Sequence, residues 1–550
     1  ERDPAHSADP AAGTIHRAAI LNVAEALDPA HLASLLSAFE ARHPAAATLV
    51  RAAVGENRKE LRRTFGRRNQ LAARALGLLP LEKPNELRER YLLLTRYFRE
   101  ANASAAGRKN YERAAAQAGL TNLAWQAGFA DATRLEWAME DEIGADTLSI
   151  GRAWEIEGYT LTLALRDGKP ALDVRNGQRA LKRVPRTVTR EYEYREVKAT
   201  LERAADQLRR YRTTFLDAMR RDQPLSPDEL ALLRRNHLAV ALLSRLVLLD
   251  EAGACGLFRA EDNTLEGTLG ERVPISGAVR IAHPYVLEQQ GWLGSWQSEI
   301  VRREIVQPFK QVFRELYVIT PAEVEAAFSS GRLAGRRLKG RQAMAVLANL
   351  GWLVDGYHIR KPIYELGYAA QFHTGAYGGY YDGDDDTGIT GALEFWPIKY
   401  EWNEGKERRI NLAEVPPLVF SEIMRDLDLV SVVAHQGDEL GTSREVIRGR
   451  ANLVRATVSA MGLAQVAVEE PYAHVAGQLT SYRIHLATGA VYLANGQYLC
   501  IVPSRKQQKA VYLPFEEGGE PIISEVISKI LLLANDARIS DPTIVAQIAR

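Results

Sequence analysis

Cysteine is almost absent from this 550-residue sequence, in which Cys255 and Cys500 are the two examples. Two cysteines cannot form a disulfide framework or a four-cysteine zinc site, and a reducing, cytoplasmic setting fits them best. Excess charge is absent as well: the formal net charge is +1, which argues against a chain built throughout to bind polyanions. No apolar run reaches the roughly 18 residues of a membrane span and no signal peptide is recognisable, so we expect no membrane span.

Motifs that identify common enzyme classes are missing too. The sequence has no His-Glu-x-x-His, no Cys-x-x-Cys, no Gly-x-x-x-x-Gly-Lys-Ser/Thr and no strand-linked Gly-x-Gly-x-x-Gly. Without a phosphate-binding loop the protein is not expected to be its own NTPase, and no cofactor is expected. The histidines are scattered and are expected to be structural, among them His283, His435, His474 and His485.

The sequence is long enough to form several domains. Single hydrophobic cores stop growing at roughly 250–300 residues, so two to four domains are expected. The sequence starts at Glu1 without an initiator methionine, which fits a fragment or a processed piece of something longer. Residues 1–14 are predicted to be a disordered lead-in. Residues 15–150 are rich in Ala, Leu, Arg and Glu, with helical periodicity in 85–98 and 108–127, which predicts a helical, repeat-like region.

The periodicity changes from helical to alternating near Trp154. Asp167-Gly168 and Asn176-Gly177 separate short alternating segments. Such dipeptides between alternating segments are typical of hairpins, so a three-stranded meander is predicted over 153–184.

A long helix is predicted over 186–222, where apolar residues recur in steps of three and four. The capping box Ser226-Pro227-Asp228-Glu229 predicts the start of the next helix. Residues 151–270 are therefore interpreted as the meander, the long helix and a helical hairpin.

Residues 271–460 are expected to form a central, mainly helical domain. Helices are predicted over 295–317 and, from the capping boxes Thr320-Pro321-Ala322-Glu323 and Thr442-Ser443-Arg444-Glu445, near 321 and 443. A strand at 393–402 contains a proline, which favours the edge of a sheet.

The whole chain is interpreted as organised around residues 411–433. Pro416 and Pro417 fit the first turn of a helix, where a missing N–H costs nothing. Apolar residues then recur at helical spacing and predict a buried face: Val419, Phe420, Ile423, Met424 and Leu427. Polar residues occupy the other face and are expected to meet another part of the protein: Ser421, Glu422, Arg425, Asp426 and Asp428.

The last block, 461–550, is interpreted as a compact α+β unit. Its predicted strands and helices are 482–486, 490–493, 497–502 and 511–514, then 522–535 and 542–549. The predicted fold class is therefore α+β and predominantly α-helical, with a helical repeat-like region, a small meander, a central helical region and this C-terminal unit.

Five segments in order resemble the MolR-like family, bacterial proteins that carry a large domain of unknown function. The segments cover roughly 110–550 and are 280–284, 307–317, 415–429, 482–486 with 497–503, and 527–536. The resemblance implies a neighbourhood of MoxR-type AAA+ ATPases and von Willebrand A-type proteins, and hence a role in a chaperone-like assembly. It implies no catalytic residues. Some family members carry a WGR module, which is not recognisable here, and the basic segment 331–341 departs from the family's pattern.

The carboxylates of 422–428 are the first candidate for chemistry. Glu422 and Asp426 share a helix face at i,i+4, and with Asp428 and Arg425 they could bind Mg²⁺ or act as an acid/base pair. The expected role is a structural charge network, because repulsion at this spacing costs only a few tenths of a kcal/mol and does not demand a metal.

A second acidic cluster consists of Asp382, Asp384, Asp385 and Asp386. Counted from Asp382, it lacks the glycine and the glutamate that an EF-hand loop requires at its sixth and twelfth positions. A solvated, mobile loop over 374–388 is expected, and weak cation binding by Asp382, Asp384 and Asp386 is the alternative.

The densest basic segment is 331–341. Nucleic-acid backbone or anion binding is one interpretation and a solvated helix face is the other. Its basic residues are Arg332, Arg336, Arg337, Lys339 and Arg341.

These observations favour a non-enzymatic scaffold or regulatory protein that binds protein partners. One alternative is a nucleic-acid-associated factor that uses 331–341 and the Arg-rich 186–222 helix. Another is a metal-dependent hydrolase centred on the 422–428 carboxylates.

Overall fold

The structure is a computed structural model, and the residues it describes are 13–15, 17, 20–22, 26–101, 106–129, 131–144, 150–166, 168–355, 358–363, 366–374, 387–397, 409–434, 442–501, 512–516, 521–539 and 541–548. The predicted α+β, helix-dominated fold is confirmed. The chain divides into two compact units: 1–165, 170–204 and 228–237 form the first, and 166–169, 205–227 and 238–550 form the second.

In the described residues, the first unit begins with helices of 7 to 21 residues. They are α1 (Pro29–Arg42), α2 (Pro44–Val54), α3 (Arg58–Phe65), α4 (Gln70–Leu76), α5 (Glu86–Glu100), α6 (Ala106–Gln126) and α7 (Ala132–Gly144). Their shared core consists mainly of Leu and Ala side chains. Helices α4 and α6 approach so closely at Gly119 that a methyl group at this position would collide with the Ala73 carbonyl. Glycine, which has no side chain, permits this contact.

The meander has four strands rather than the predicted three. Its strands, in spatial order, are β1 (Ala153–Ile156), β2 (Tyr159–Arg166), β3 (Lys169–Asn176) and β4 (Arg179–Leu181). The segment Glu157-Gly158 that joins β1 to β2 has positive φ at both residues, a conformation that suits a tight hairpin turn.

The predicted helix over 186–222 is interrupted. It consists of α8 (Arg186–Arg190) and α9 (Tyr194–Arg220), and Glu191 between them has an extended backbone. Val188 of α8 and Val197 of α9 both enter the hydrophobic core of the meander, and this burial explains why the chain turns between them. Helix α10 (Pro227–Arg235) starts as its capping box predicts.

The second unit contains a five-stranded sheet that the sequence patterns did not predict. After α11 (His237–Leu243), its strands are β5 (Val247–Asp250), β6 (Cys255–Arg259), β7 (Thr264–Glu266), β8 (Arg272–Pro274) and β9 (Val279–Ile281), in the order β8-β7-β6-β5-β9. The helices α12 (Pro284–Gln289) and α13 (Leu293–Arg302) follow.

The predicted helix over 295–317 is wrong beyond Arg302. Residues 303–320 contain no helix, although most of the side chains from Gln307 to Tyr317 are buried. Pro308 explains the break, because proline removes a helical hydrogen bond and disfavours the helical conformation of the preceding residue.

The middle of the second unit contains more β structure than expected. Its elements are α14 (Pro321–Ala326), β10 (Ser329–Ser330), β11 (Arg337–Lys339), α15 (Gly340–Asn349), β12 (Leu353–Asp355), β13 (His358–Ile363), β14 (Tyr368–Thr374), β15 (Thr387–Pro397) and α16 (Pro417–Val433). The sheet order is β10-β15-β14-β13-β12, and β11 also pairs with β15. The strand predicted for an edge is thus interior, and Pro397 is its last residue. The expected mobile loop, 374–388, lies largely outside the described residues, as do 398–402.

The last elements of the second unit are both helices and strands. They are α17 (Arg444–Ala460), β16 (Val466–Glu469), β17 (Tyr472–Ala476), β18 (Ser481–His485), β19 (Val491–Leu493), β20 (Tyr498–Leu499), α18 (Pro521–Leu533) and α19 (Pro542–Ile548). Strands β16 to β20 form an antiparallel sheet in chain order. The strand predicted at 511–514 does not join this sheet in the part that is described, and Phe515 instead makes a lone bridge to Gln307.

In the described part of the chain, none of the helices combines the length and apolar character needed to cross a bilayer.

Candidate functional site

Between Phe420 and Asp428, helix α16 is buried on both its apolar and its polar face, and Arg425 is half-buried. Pro417 is its first residue, as predicted, and Pro416 precedes it as the N-cap residue. On the polar side, Glu422 is 5% exposed, and Asp426 and Asp428 are each 1% exposed. Ionised groups at such depth require partners that replace water, so the contacts of each carboxylate decide what it can do.

Glu422 accepts hydrogen bonds from two guanidinium groups and an imidazole. Arg314 donates from Nε and Nη2 to its two carboxylate oxygens, each at 2.6 Å. Arg220, the last residue of α9, donates from Nε at 2.7 Å, and His283 Nε2 lies 3.1 Å from Oε1. Burial alone would raise the pKa of Glu422, but Arg314 and the other donors hold it well below its usual value.

His283 is a structural donor to Glu422. Its Nδ1 accepts a hydrogen bond from the Tyr285 backbone N–H at 3.1 Å, which caps α12. Since Nδ1 accepts, we assign the proton of the neutral ring to Nε2, which donates to Glu422. Burial lowers the pKa of His283, so the neutral form is favoured.

Asp426 contacts three separate segments of the second unit. It accepts hydrogen bonds from Arg220 at 3.0 Å, from Lys361 of β13 at 2.6 Å and from the Trp352 indole at 3.2 Å. Burial lowers the pKa of Lys361, although the nearby Asp426 charge opposes this shift.

Asp428 accepts hydrogen bonds from two hydroxyl groups and one guanidinium. Tyr317 and Ser443 both donate to Oδ2, and Arg336 donates to Oδ1 at 2.8 Å. Burial and the adjacent Asp428 charge raise the pKa of Tyr317 well above its usual value, so the phenol stays protonated as a donor. Ser443 is also the N-cap of α17 and accepts from the Val446 N–H at 3.2 Å.

Arg425 points to a different carboxylate. It donates to Glu315 at 2.9 Å, and Lys310 pairs with the same group. Burial would raise the pKa of Glu315, but Lys310 and Arg425 lower it. Glu315 is therefore a buried, ionised fourth carboxylate in what we call the α16 network. The network comprises Glu315, Glu422, Asp426 and Asp428 with Arg220, His283, Lys310, Arg314, Tyr317, Arg336, Trp352, Lys361, Arg425 and Ser443.

The irregular segment 307–317 supplies much of the network because glutamine side chains hold its backbone in place. Gln311 accepts a hydrogen bond from the Val247 N–H of β5 at 3.0 Å and donates to the carbonyls of Val247 and Ala282, both at 2.8 Å. Gln307 in turn donates to Gln311 at 2.7 Å. These amides act as a substitute for regular secondary structure, and they present Arg314, Glu315 and Tyr317 to α16.

This arrangement is better suited to holding segments of the fold together than to catalysis. Each carboxylate of α16 is buried, and each already accepts hydrogen bonds from basic or hydroxyl donors. A cation at Asp426 would have to compete with Arg220 and Lys361. The described residues contain no group of three or more His, Cys, Asp or Glu side chains that could hold a metal ion. The candidate ligands Asp382, Asp384 and Asp386 lie outside the described residues.

The basic segment 331–341 does not form one patch. Arg332 pairs with Glu323 and Glu445, and Arg336 pairs with Asp428. Arg337, Lys339 and Arg341 are exposed, the first two on β11. The solvated helix expected as the alternative is instead a short strand followed by α15.

Sequence reasoning found the three α16 carboxylates but missed most of their partners. Two segments of the family resemblance do supply partners, namely 280–284 with His283 and 307–317 with Arg314, Glu315 and Tyr317. A further signal was Pro308, which argued against the helix that was predicted there. Arg220 and Lys361 carried no recognisable signal, because their approach depends on long-range packing.

Comparison with known families finds three matching segments, each of unknown function. Residues 54–139 are similar to a family of unknown function (DUF5724), residues 178–352 to a domain of unknown function (DUF4132) and residues 447–548 to another domain of unknown function (DUF7737). These matches support a chain made of several uncharacterised domains, and they do not confirm the MolR-like resemblance. No curated protein and no solved structure matches the chain.

Proposed function

We propose that this protein is a non-enzymatic, multi-domain scaffold or regulatory protein that acts by binding protein partners. The observation that carries the proposal is the state of the α16 carboxylates. A general acid or base has to reach a substrate, whereas Glu422, Asp426 and Asp428 are buried and engaged by Arg, Lys, Tyr and Ser side chains.

The network favours a locking role because its partners come from distant parts of the second unit. Arg220 precedes Glu422 by 202 residues, and Tyr317 precedes Asp428 by 111. Replacing one member of such a buried pair leaves an uncompensated charge and costs about 3–5 kcal/mol. The three carboxylates therefore hold α9, the 307–317 segment, β13 and α17 against one helix.

Binding of metal provides the test against hydrolase chemistry. If the carboxylates lock the fold, Mg²⁺ or Mn²⁺ leaves the melting temperature of the wild-type protein and of an Asp426→Asn variant equally unaffected. A metal-dependent rise in melting temperature that Asp426→Asn abolishes would contradict the proposal. The exposed variant Glu325→Gln controls for weak surface binding of the cation.

The partner suggested by the MolR-like resemblance is a MoxR-type AAA+ ATPase, together with a von Willebrand A-type protein in a cytoplasmic assembly. The surface that supports partner binding is the C-terminal end of α16, where Leu429, Val432 and Val433 are exposed at 36%, 38% and 43%. Their i, i+3, i+4 spacing places them on one helix face, and grouped exposed apolar residues often mark interaction sites.

Light scattering after size-exclusion chromatography tests this partner directly. The purified chain is mixed with the MoxR-type ATPase encoded nearest to its gene, with and without nucleotide. A complex is expected for the wild type and for Leu269→Asp, an isolated surface leucine that is 94% exposed. Val432→Asp is expected to abolish it. If wild type and Val432→Asp bind equally, this surface is not the contact, and the absence of any complex contradicts this choice of partner.

A further inference from the structure

The outer face of the C-terminal sheet carries a straight row of rings and a guanidinium. Strand pairing places His474 of β17 opposite Arg483 of β18, Arg483 opposite Tyr492 of β19, and Tyr492 opposite Tyr498 of β20. Because side chains alternate along each strand, all four lie on the same face. We call them the aromatic row.

A second pair of rings extends the same face. Tyr472 is opposite His485, with ring centroids 5.1 Å apart in an edge-to-face arrangement. Tyr492 and Tyr498 make a similar contact at 6.0 Å. These residues are intermediate or exposed, whereas their strand neighbours Tyr482, Ile484, Val491 and Leu499 are buried in the main core. The sheet therefore packs on one side and presents aromatic groups on the other.

Arg483 is available to a ligand. Its guanidinium carbon lies 5.5 Å from the centre of the Tyr472 ring, and among the described residues it forms no ion pair. Glu469 lies on the same face opposite Tyr472, and its carboxylate is 4.0 Å from His474. The aromatic row thus presents the guanidinium of Arg483, which lies over the Tyr472 ring, beside several other rings. Of these, the Tyr498 ring belongs to a residue that is 55% exposed.

A groove next to the row gives room for a ligand. It has a volume of about 600 Å³ and is lined by His474 and Arg483 together with Gln465 and Ser481. Pockets of small-molecule size span roughly 300–1,000 Å³. A groove of this volume, with polar groups that can donate and accept hydrogen bonds, can take a single nucleotide.

We propose that the aromatic row and its groove bind single-stranded nucleic acid. Bases stack on exposed aromatic and guanidinium planes without requiring a particular sequence, and the backbone phosphate is attracted to arginine. A small sheet with one solvated face that carries aromatic groups is a recurring way to bind unpaired bases. The matching chemistry here is the unpaired Arg483 charge for phosphate and the tyrosine rings for bases. Duplex DNA or RNA does not fit, because its bases are already stacked.

The test measures fluorescence anisotropy of labelled oligothymidylate and oligouridylate of about 20 nucleotides, longer than the roughly 4–16 nucleotides that a small stacking domain covers. The full chain is expected to bind both and to bind a duplex of the same length more weakly. Tyr492→Ala and Tyr498→Ala should each weaken binding about fivefold or more. Tyr192→Ala removes a tyrosine that is 76% exposed elsewhere and should leave the affinity unchanged.

Two variants of Arg483 distinguish the contribution of its charge to binding from the contribution of stacking. Arg483→Gln should weaken binding and make the salt slope shallower by about 0.7, the value expected for one phosphate contact on a single strand. Arg483→Lys keeps the charge and should retain that slope while losing affinity.

Three results would overturn the proposal: no binding at low salt, full binding by a Tyr492→Ala/Tyr498→Ala double variant, or equal losses in the row variants and Tyr192→Ala. A duplex preference that survives the double variant would also overturn it, because the contact would then be a phosphate contact elsewhere, such as at Arg337 and Lys339. The outcome is independent of the scaffold proposal, whose tests use other residues.

Discussion

The α16 network and the aromatic row both contain arginine and histidine, but these side chains have different roles in the two places. In the network, Arg314 is buried and donates two hydrogen bonds to Glu422. In the row, Arg483 is exposed and lies over the Tyr472 ring. His283 is similarly buried and committed to Glu422 and Tyr285, whereas His474 lines an open groove.

The difference is one of solvation and pairing. A charge taken out of water needs compensating partners inside the protein, so each network contact contributes to holding the fold. An exposed charge keeps its water and adds little to stability, so it remains available for a ligand. Burial therefore separates groups that hold this protein together from groups that can recognise something else.

The largest expected effect on stability comes from removing the carboxylate of Glu422 from the α16 network. Glu422→Ala leaves the buried Arg314 and the half-buried Arg220 without their shared carboxylate. It should lower the free energy of unfolding by about 3–5 kcal/mol. Urea denaturation followed by circular dichroism measures it. The exposed Glu325→Ala is the matched control and should stay within about 0.5 kcal/mol of wild type. Equal effects of the two substitutions would remove the distinction between buried and exposed charges.

Two neighbouring arginines provide a sharper comparison. Arg336 pairs with the buried Asp428, whereas Arg337, the first residue of β11, is exposed. Arg336→Gln should cost about 1–3 kcal/mol, because a buried carboxylate loses a charged donor, and Arg337→Gln should cost less than about 0.5 kcal/mol. The same denaturation assay compares them, and a reversed order would show that Asp428 does not depend on Arg336.

The pH dependence of stability tests the protonation state assigned to His283. Its pKa in the folded protein is lowered from 6.5, so the unfolded chain binds a proton more readily at this residue. The stabilisation is present above pH 6.5 and is lost as pH falls below it towards the folded pKa, with a slope of up to about 1.4 kcal/mol per pH unit. His283→Gln should flatten the dependence between about pH 7 and 5. The exposed His31→Gln is the control, and an unchanged slope in His283→Gln would contradict the assignment.

The smallest expected effect on stability is in the aromatic row. Tyr498→Ala should change the free energy of unfolding by no more than about 0.5 kcal/mol, because the side chain is largely exposed. Thermal unfolding measures this in the same samples that are used for oligonucleotide binding. A loss of unfolding free energy comparable to that of Glu422→Ala would mean that the aromatic row stabilises the fold. The contrast between the row and the α16 network would then be wrong.

Local patterns predicted several elements correctly. The start of α16 at the double proline, the capping box that links Thr320 with Glu323, and the helices α10 and α18 all follow from short-range preferences. The cap of α17 differs by one residue, since Ser443 rather than Thr442 accepts the backbone N–H. Hairpin dipeptides likewise located the meander, although its first strand was missed.

Elements that depend on distant partners were not predictable in the same way. The segment 307–317 has apolar residues at helix-like spacing, yet Pro308 and the hydrogen bonds of Gln311 to β5 keep it irregular. The sheet β5–β9 consists of strands of three to five residues, which are too short to give a clear alternating pattern.

By itself, the sequence determined that α16 has an apolar and an acidic face, since helical periodicity is a property of neighbouring residues. Only the tertiary structure decided that the acidic face is buried against Arg220, Arg314, Arg336 and Lys361. The physical reason is that side-chain spacing is local, whereas the desolvation of a charge depends on every segment that packs around it.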